Sequence, residues 1–566
     1  MPEPVATQAF VSRDKAWWRE LSAATLRTDA LAALLAAVLV LPQAIAFAAL
    51  AGLPPAWGLY SAVVPTAVAA IAGSSRHALT GPTNAVSIAL AATLAPLAAL
   101  GSAEYLRLAL VVTLMVGALQ LLLALFRLGV LTHFISPSVL LGFTGGAALL
   151  IVGHALQSLW VMPGPMSANW GVAAATLGVA ALLRWRWPRG PGLLIGLVLG
   201  TVLALLIGPA VPQIGALPQA WPSFVPPQLA ADDLPRLATS ALALTIVALG
   251  QSVAVAKLLA AKSGQPVDIN REVLGQGLAN LSGGLFQAFV GCSSINRSIP
   301  HLEAGARTPL AGVLAAAFVV ALVALAGGLI ALVPLAAVEA LLLLVAFTLL
   351  DPVTWRQLAK LDRVEATVAA GTLLATLLLP ISVAVLAGVA ASLVVYVHRT
   401  AHPALRTMGF GAPPRPGGEL RPFVVLSPGA PECPQLKLLR MEGPVWFGAE
   451  AHVAETLQAL REQPDAPRHL LVMGKSMNFI DPAGAALWER ERVLRREMGG
   501  GLYFHRPRPD VLATWQRSGF IERLGAEHLY ADKRSAIAAI VPRLDGAICA
   551  TCPYRVFEEC ARQPGA

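Results

Sequence analysis

The chain has 566 residues, of which 56% are hydrophobic and 13% charged, with a mean hydropathy of +0.67. Soluble globular domains carry about 25% charged residues, so the composition excludes an ordinary soluble protein and points to a polytopic membrane protein. The net charge of +9 does not argue for a nucleic-acid partner, because Lys and Arg collect in the cytoplasmic loops of membrane proteins and make such chains basic.

Residues 1–29 are polar and carry the Trp17-Trp18 pair, which suits the membrane interface. The first apolar run begins just after Asp29 and lacks a short hydrophobic region with a small-residue cleavage site, so it is read as a mature span. A spanning helix needs about 20 mainly apolar residues. On that measure the candidate segments are 30–50, 57–74, 83–100, 105–126, 136–157, 169–184 and 191–209. They continue at 238–259, 271–290, 294–304, 308–330, 333–351, 364–380 and 381–398, which makes fourteen.

The third and tenth of these are unusual. Segment 83–100 follows "LTGPTNAVS", and 294–304 is short and polar. Both read as half-helices preceded by extended chain, which small residues and Pro82 permit at membrane depth. Each holds the third place in a half of seven segments, the pattern of an inverted repeat with a central binding site. This reading rests on hydropathy, since no residue-level repeat is evident. Fourteen segments put both termini on one side. That side holds nearly every Lys and Arg of the membrane part, from Arg13 and Lys15 through Arg189, Lys257 and Arg307 to Arg399. The other side holds only Arg107 and Arg236, so both termini are expected in the cytoplasm of a multi-pass protein of the inner (plasma) membrane.

Residues 400–420, with "GAPPRPGGE", read as a linker. Residues 421–545 alternate strands ("FVVLS", "LKLLRMEGPVWFG", "HLLVMG", "GLYFHR") with helices at 449–462, 482–497 and 508–517, a small α/β domain. Residues 546–566 form a tail with Cys549, Cys552 and Cys560. With Cys292 and Cys433 these make five cysteines, an odd and sparse set unlike a secreted disulfide framework. A C-x2-C pair suits metal or redox chemistry, but a closed zinc site needs a fourth ligand. Cys433 or His528 would supply it only if the fold brought them near, and free thiols are the simpler alternative.

A helix N-terminus exposes unpaired N–H groups and a partial positive charge, so two half-helix N-termini near the bilayer midplane make an anion site. Arg297, among Ser293, Ser294, Asn296 and Ser298, adds a fixed charge and a donor fork suited to oxyanions. The alternative is an arginine that snorkels to an interface or pairs with Glu303. Gln43 sits mid-span in the first segment, and Thr83 and Asn84 stand where they would cap the third or touch substrate. His154 and Glu339 are assigned structural or interfacial roles, and Cys292 packing.

These residues are similar to those of the sulfate permease (solute carrier 26) family of anion transporters. "VLPQAIAFAALAGLPPAWGLYSAVVP" resembles that family's first two spans, and "GQGLANLSGGLFQAF" its ninth. "NRSIPHLEAGARTPLAG" resembles the start of its tenth span and the chain beyond it. "MNFIDPAGAALW" resembles a motif of its C-terminal STAS domain. The resemblance implies a fourteen-span inverted repeat. A core domain (spans 1–4 and 8–11) carries the anion past a gate domain (5–7 and 12–14) in an elevator-like motion, in a homodimer with cytoplasmic STAS domains. It places the anion between the third and tenth spans and assigns Gln43, Thr83, Asn84, Ser294, Asn296, Arg297 and Ser298 to it.

There are departures from the family pattern. Gln251 stands in "ALGQSVAVAK" where a glutamate tied to proton coupling is common, and Gln cannot titrate. Glu303 or His301 would then have to replace it. "SSINRS" has Asn296 for a hydroxyl residue and Ile295 for an aromatic one, which suits an anion other than sulfate. Asp481-Pro482-Ala483 lacks the hydroxyl that bacterial STAS regulators phosphorylate, although Asp481 should cap a helix. The reading is therefore a transporter of small inorganic anions, sulfate first, with bicarbonate, chloride or dicarboxylate exchange or an anion channel as alternatives. A nucleobase-type transporter and a non-transporting sensor fit less well. Neither an enzyme nor a resident cofactor is expected, and lipid and a second copy of the chain are the expected partners.

Overall fold

The computed structural model describes residues 17–129, 136–187, 192–215, 221–411, 422–427 and 429–562. Arg13, Lys15, Arg189 and most of the Pro-Gly run at 411–419 lie outside them. The chain divides into two compact units, Met1–Ser392 and Leu393–Ala566.

The first unit is helical. Helix α1 (Ala23–Leu50) starts where Ser22 Oγ accepts from Thr25 N at 3.1 Å. The segment expected at 57–74 is two helices, α2 (Pro55–Ser61) and α3 (Val64–Ala72). Pro65 lacks an N–H to continue the ladder, so the break falls just before it. Strand β1 (Thr80–Gly81) precedes α4 (Asn84–Leu94), which is shorter than the sequence pattern suggested. Next come α5 (Ala103–Leu125), α6 (Pro137–Val161), α7 (Met166–Arg186) and α8 (Gly192–Ile207). The arrangement then begins again: α9 (Asp233–Ser263), α10 (Ile269–Leu285), strand β2 (Cys292–Ser293) and the short α11 (Ile295–Glu303). After it come α12 (Leu310–Ala331), α13 (Leu335–Leu349), α14 (Pro352–Leu361), α15 (Arg363–Leu378) and α16 (Ile381–Ala401). The amphipathic α14, which buries none of its residues, lies in a stretch where no element was expected.

Nine helical stretches among the described residues are long and apolar enough to cross a membrane. The outer faces of the unit's helices are apolar as well. Leu325 on α12, Leu206 on α8 and Leu378 on α15 are 87%, 80% and 79% exposed. An aqueous surface would not favour such a belt, whereas hydrocarbon does. The chain is a multi-pass membrane protein.

Small residues let the helices approach closely. A Cβ on Gly277 of α10 would lie 2.8 Å from Leu121 N of α5, and one on Gly117 of α5 would lie 2.6 Å from Leu281 N of α10. Backbone contact of this kind is how membrane helices associate where no hydrophobic drive separates protein from lipid. Across the same seam Asn280 Nδ2 donates to Gln120 Oε1 at 2.9 Å. Asn280 also donates to Gly291 O at 3.1 Å and accepts from Gly291 N at 2.8 Å, so the seam fixes the chain just before β2. Glu272 of α10 accepts from Ser74 N and Ser75 N, both at 3.0 Å, and so holds the loop that leads into β1.

The second unit is a six-stranded sheet of order β4-β3-β5-β6-β7-β8. Its strands are β3 (Ala404–Phe410), β4 (Phe423–Val425), β5 (Leu436–Glu442), β6 (His469–Met473), β7 (Leu502–His505) and β8 (Leu529–Tyr530). β5 to β8 pair in parallel, while β3 pairs antiparallel with β4 and β5. Its helices are α17 (Glu450–Arg461), α18 (Pro482–Glu497), α19 (Pro509–Arg517), α20 (Phe520–Leu524), α21 (Lys533–Ile540) and α22 (Gly546–Thr551). Alternate residues of each strand face opposite sides. Leu470, Val472 and Phe504 pack with Val453, Trp488 and Trp515 of α17–α19. Leu471, Met473 and Tyr503 pack with Ile537 and Ile540 of α21. Both faces are covered, which is why "HLLVM" reads as a continuous apolar run. As expected, Asp481 caps α18, its Oδ1 accepting from Gly484 N at 2.9 Å.

Two expectations need correction. Residues 404–410, read as part of the linker, form β3, because their pairing with Leu439–Glu442 outweighs the flanking Pro and Gly. Within the stretch read as a tail, the described residues 546–562 pack on the sheet, since α22 and the turn after it place Cys549, Val556, Phe557 and Cys560 against the second core.

Candidate anion site

The two breaks in the membrane unit meet. β1 and β2 pair antiparallel, with Thr80 opposite Ser293 and Gly81 opposite Cys292. Chain leaves antiparallel strands in opposite directions, so α4 and α11 run away from the bridge on opposite sides. Helices α1 and α9 each pack against both. Polar groups from neighbouring helices secure the bridge. Gln276 of α10 donates to Thr80 Oγ1 at 2.8 Å and to Ser293 Oγ at 3.2 Å. Ser252 Oγ of α9 accepts from Ser293 N at 3.0 Å, and Thr66 Oγ1 of α3 donates to Thr80 O at 2.6 Å.

Arg297 lies in the first turn of α11 and is only 2% exposed. Its Nη1 donates to Pro82 O at 2.7 Å, and its Nη2 stands 3.5 Å from Cys292 O. The guanidinium therefore spans both breaks. Gly81 makes room, because a Cβ there would stand 3.2–3.4 Å from Nη1, Nη2 and Cζ. Nε has no partner, and among the described residues no carboxylate pairs with this cation. Glu303, the partner considered from sequence, is exposed on the last turn of α11. Snorkelling is excluded by the same burial. A buried, unneutralised charge costs several kcal/mol, and two carbonyl dipoles offset only part of that.

The residues picked from sequence take different places. Thr83 sits at the N-cap of α4 but does not cap it. Its hydroxyl stands instead 3.3 Å from Gln251 Oε1 and 3.2 Å from Cys292 Sγ, and that thiol donates to the same Oε1 at 3.0 Å. Cys292 is thus part of a polar triangle rather than plain packing. Asn84 Oδ1 accepts from Ala85 N at 2.8 Å, inside its own turn. Ser294 is the N-cap of α11 and makes no side-chain cap bond. Ser298 is buried and committed, accepting from Leu79 N at 2.9 Å, so it braces β1. Asn296 is exposed, and Asn84, Gln251, Ser294 and Gln43 are partly so. Gln43, one residue past the helix-interior Pro42, has no side-chain partner among the described residues. The arrangement presents the N-terminal ends of two helices, where Ala85 N is taken by Asn84 and Arg297 N by Ser294 O, with a positive charge behind them.

Sequence reasoning missed Thr66, Thr80, Gln120, Ser252, Gln276 and Asn280. The i, i+4 spacing of Gln276 and Asn280, which sets two amides on one helix face, was the available signal. Glu339 of α13 is buried and accepts from Ser158 Oγ at 2.7 Å. Cys549, Cys552 and Cys560 belong to the other unit. No group of His, Cys, Asp and Glu among the described residues stands close enough to hold a single metal ion.

Paired short helices beginning at a bridged break, with long apolar helices around them, define a helical membrane protein of the crossed half-helix class. A sequence profile of the sulfate permease family matches residues 26–178 and 166–372. A Mycobacterium tuberculosis protein named as a probable sulfate transporter is 30% identical over 558 residues, covering 95% of this chain and 99% of its own. The chloroplastic sulfate transporter 4.1 of Arabidopsis thaliana is 28% identical, covering 90% and 79%. This chain belongs to the sulfate permease family. In fold it matches the murine solute carrier 26 member A9 anion transporter in its inward-facing state, with a TM-score of 0.81, 19% identity and 93% of each chain covered. It also matches the transmembrane domain of a cyanobacterial bicarbonate transporter, with a TM-score of 0.58, 24% identity, and 65% and 98% covered.

Proposed function

We propose that the protein is a secondary active transporter of a small inorganic anion, sulfate first. The anion is held at the first turns of α4 and α11. The observation that carries this reading is Arg297, buried and without a carboxylate, tied to the carbonyls on both sides of the crossing. An anion at the half-helix N-termini would supply the missing countercharge. Asn84, Ser294 and Asn296 line its approach, with Thr83 and Gln251 beside it. Gln43 on α1 is the remaining donor, and Ser298 acts through its brace on β1.

In this reading the membrane unit has fourteen segments as two inverted halves, and both termini lie in the cytoplasm. The first four segments of each half, which hold the bridge, move as a body past the rest. The C-terminal unit is a STAS domain, and the protein works as a homodimer. Names of the relatives support sulfate as the first substrate to test. Gln251, an amide that gives no proton, supports exchange, uniport or sodium coupling over proton symport at this position.

The test is radiolabelled sulfate uptake into proteoliposomes, with unlabelled bicarbonate, chloride, nitrate and succinate as competitors, with and without an inward proton gradient. Saturable uptake that ignores the gradient is expected. Uptake driven by the gradient would overturn the assignment of Gln251 and turn attention to His301, buried on α11. Active vesicles that take up bicarbonate and not sulfate would keep the site and change the substrate.

A further inference from the structure

The C-terminal unit has four cysteines, and all four line one cavity. Cys549 and Cys552 come from α22 and its end, and Cys560 from the last described turn. Cys433 comes from the loop before β5, far earlier in the chain. All four are free thiols. Cysteines used as small hydrophobic side chains have no reason to converge in this way. Cys433, one of the two residues considered from sequence as a fourth ligand beside the C-x2-C pair, lines this same cavity. His528 is engaged elsewhere, with its Nδ1 against Leu502 O at 2.8 Å.

The convergence is built without any sulfur–sulfur bond. Gln435 Nε2 donates to Asp545 O at 3.0 Å and lies 3.3 Å from Cys549 Sγ, and its Oε1 accepts from Asp545 N at 2.8 Å. That side chain staples the Cys433 loop to the cap of α22. The backbone N–H groups of Gln435 and Leu436 face the Cys433 sulfur. Arg555, at a positive φ of 38° in the turn between Cys552 and Cys560, adds a cationic side chain to the cavity wall. It suits a centre whose thiolates carry net negative charge.

We propose that Cys433, Cys549, Cys552 and Cys560 ligate a metal centre through four thiolates. A lone zinc ion draws four sulfurs to about 2.3 Å of one point. Here no three of the thiols gather around a point, and they stand instead about a cavity. An iron–sulfur cluster, whose thiolates are spread over separate irons, fits that spread better. The centre would clamp α22 and the turn after it onto the sheet, which otherwise rests on apolar contacts and the Gln435 staple.

The full chain, purified anaerobically in detergent, is analysed for iron, zinc and acid-labile sulfide and by visible absorption. The expected result is one centre per chain, with iron and sulfide together, lost in Cys433→Ser and in Cys560→Ser and kept in Cys292→Ser. Zinc without sulfide, lost in the same variants, supports the four-thiolate centre and identifies its occupant as zinc. Because a serine variant could fail to fold, the wild-type protein is also alkylated before and after metal removal. Protection of all four thiols until the metal is stripped supports the centre. Metal-free protein after growth or reconstitution with iron and with zinc, thiols that alkylate at once, or a Cys549–Cys552 disulfide in the anaerobic protein would overturn it.

Discussion

Arg297 has few degrees of freedom left. Nη1 and Nη2 each face a carbonyl, one on either side of the crossing, and Nε has no partner. The residue therefore fixes the bridge and charges it at once. Arg297→Ala removes a charged donor whose hydrogen bonds are worth about 1.5–3 kcal/mol each, and sulfate affinity should fall about ten- to a hundredfold. Arg297→Lys keeps the charge but cannot reach two carbonyls with a planar fork. Transport should recover in part while thermal stability stays low. Equal uptake kinetics in wild type and Arg297→Ala would sink the assignment. Gln251 offers the complementary test. Gln251→Glu places a titratable group 3.0 Å from the Cys292 thiol and 3.3 Å from the Thr83 hydroxyl. Uptake by that variant should become sensitive to an inward proton gradient, and a gradient response identical to wild type would count against Gln251 as the coupling position.

At the scale of elements, the crossing depends on the seam between α10 and α5 beside it. Asn280 joins α10 to α5 through Gln120 and holds both backbone groups of Gly291, next to β2. Asn280→Leu keeps the volume and leaves those groups unpaired, at about 1–3 kcal/mol each. A clear drop in the thermal midpoint in detergent, together with weaker sulfate uptake, is the expected outcome. An unchanged midpoint would show that β2 does not rely on the seam. The half-helices themselves were legible in the chain, because "LTGPTN" and "CSSINRS" interrupt apolar runs with residues that end or restart helices. Their meeting was not legible. It is set by a register between Thr80 and Ser293, and hydropathy carries no information about which distant strands pair. For the same reason Arg297 was visible as a charge in an apolar setting, while its carbonyl partners Pro82 and Cys292 were not. In the C-terminal unit the strand and helix alternation could be read, but β3 was hidden by the Pro-Gly run beside it.

At the scale of the whole molecule, the C-terminal unit carries a built-in response to acid. The C-terminal sheet buries two imidazoles at the ends of parallel strands, His469 on β6 and His505 on β7. Burial, the largest cause, lowers both from 6.5 to about 4. Arg468, Arg543 and Arg495 add repulsion at His469, and Lys533 and Arg506 add it at His505, where Asp532 pulls the other way. The folded state thus prefers neutral rings, whereas the unfolded chain takes up protons as pH falls through 6.5. The stability these residues contribute is complete above that value and is lost progressively as pH falls toward about 4, below which it changes no further. Hydrogen exchange on the full chain, corrected for its intrinsic pH dependence, should show β6 and β7 losing protection across that window. His469→Gln and His505→Gln, which cannot be protonated, should flatten the response. If the double variant lost protection over the same range as wild type, the acid sensitivity would have to lie outside these two rings.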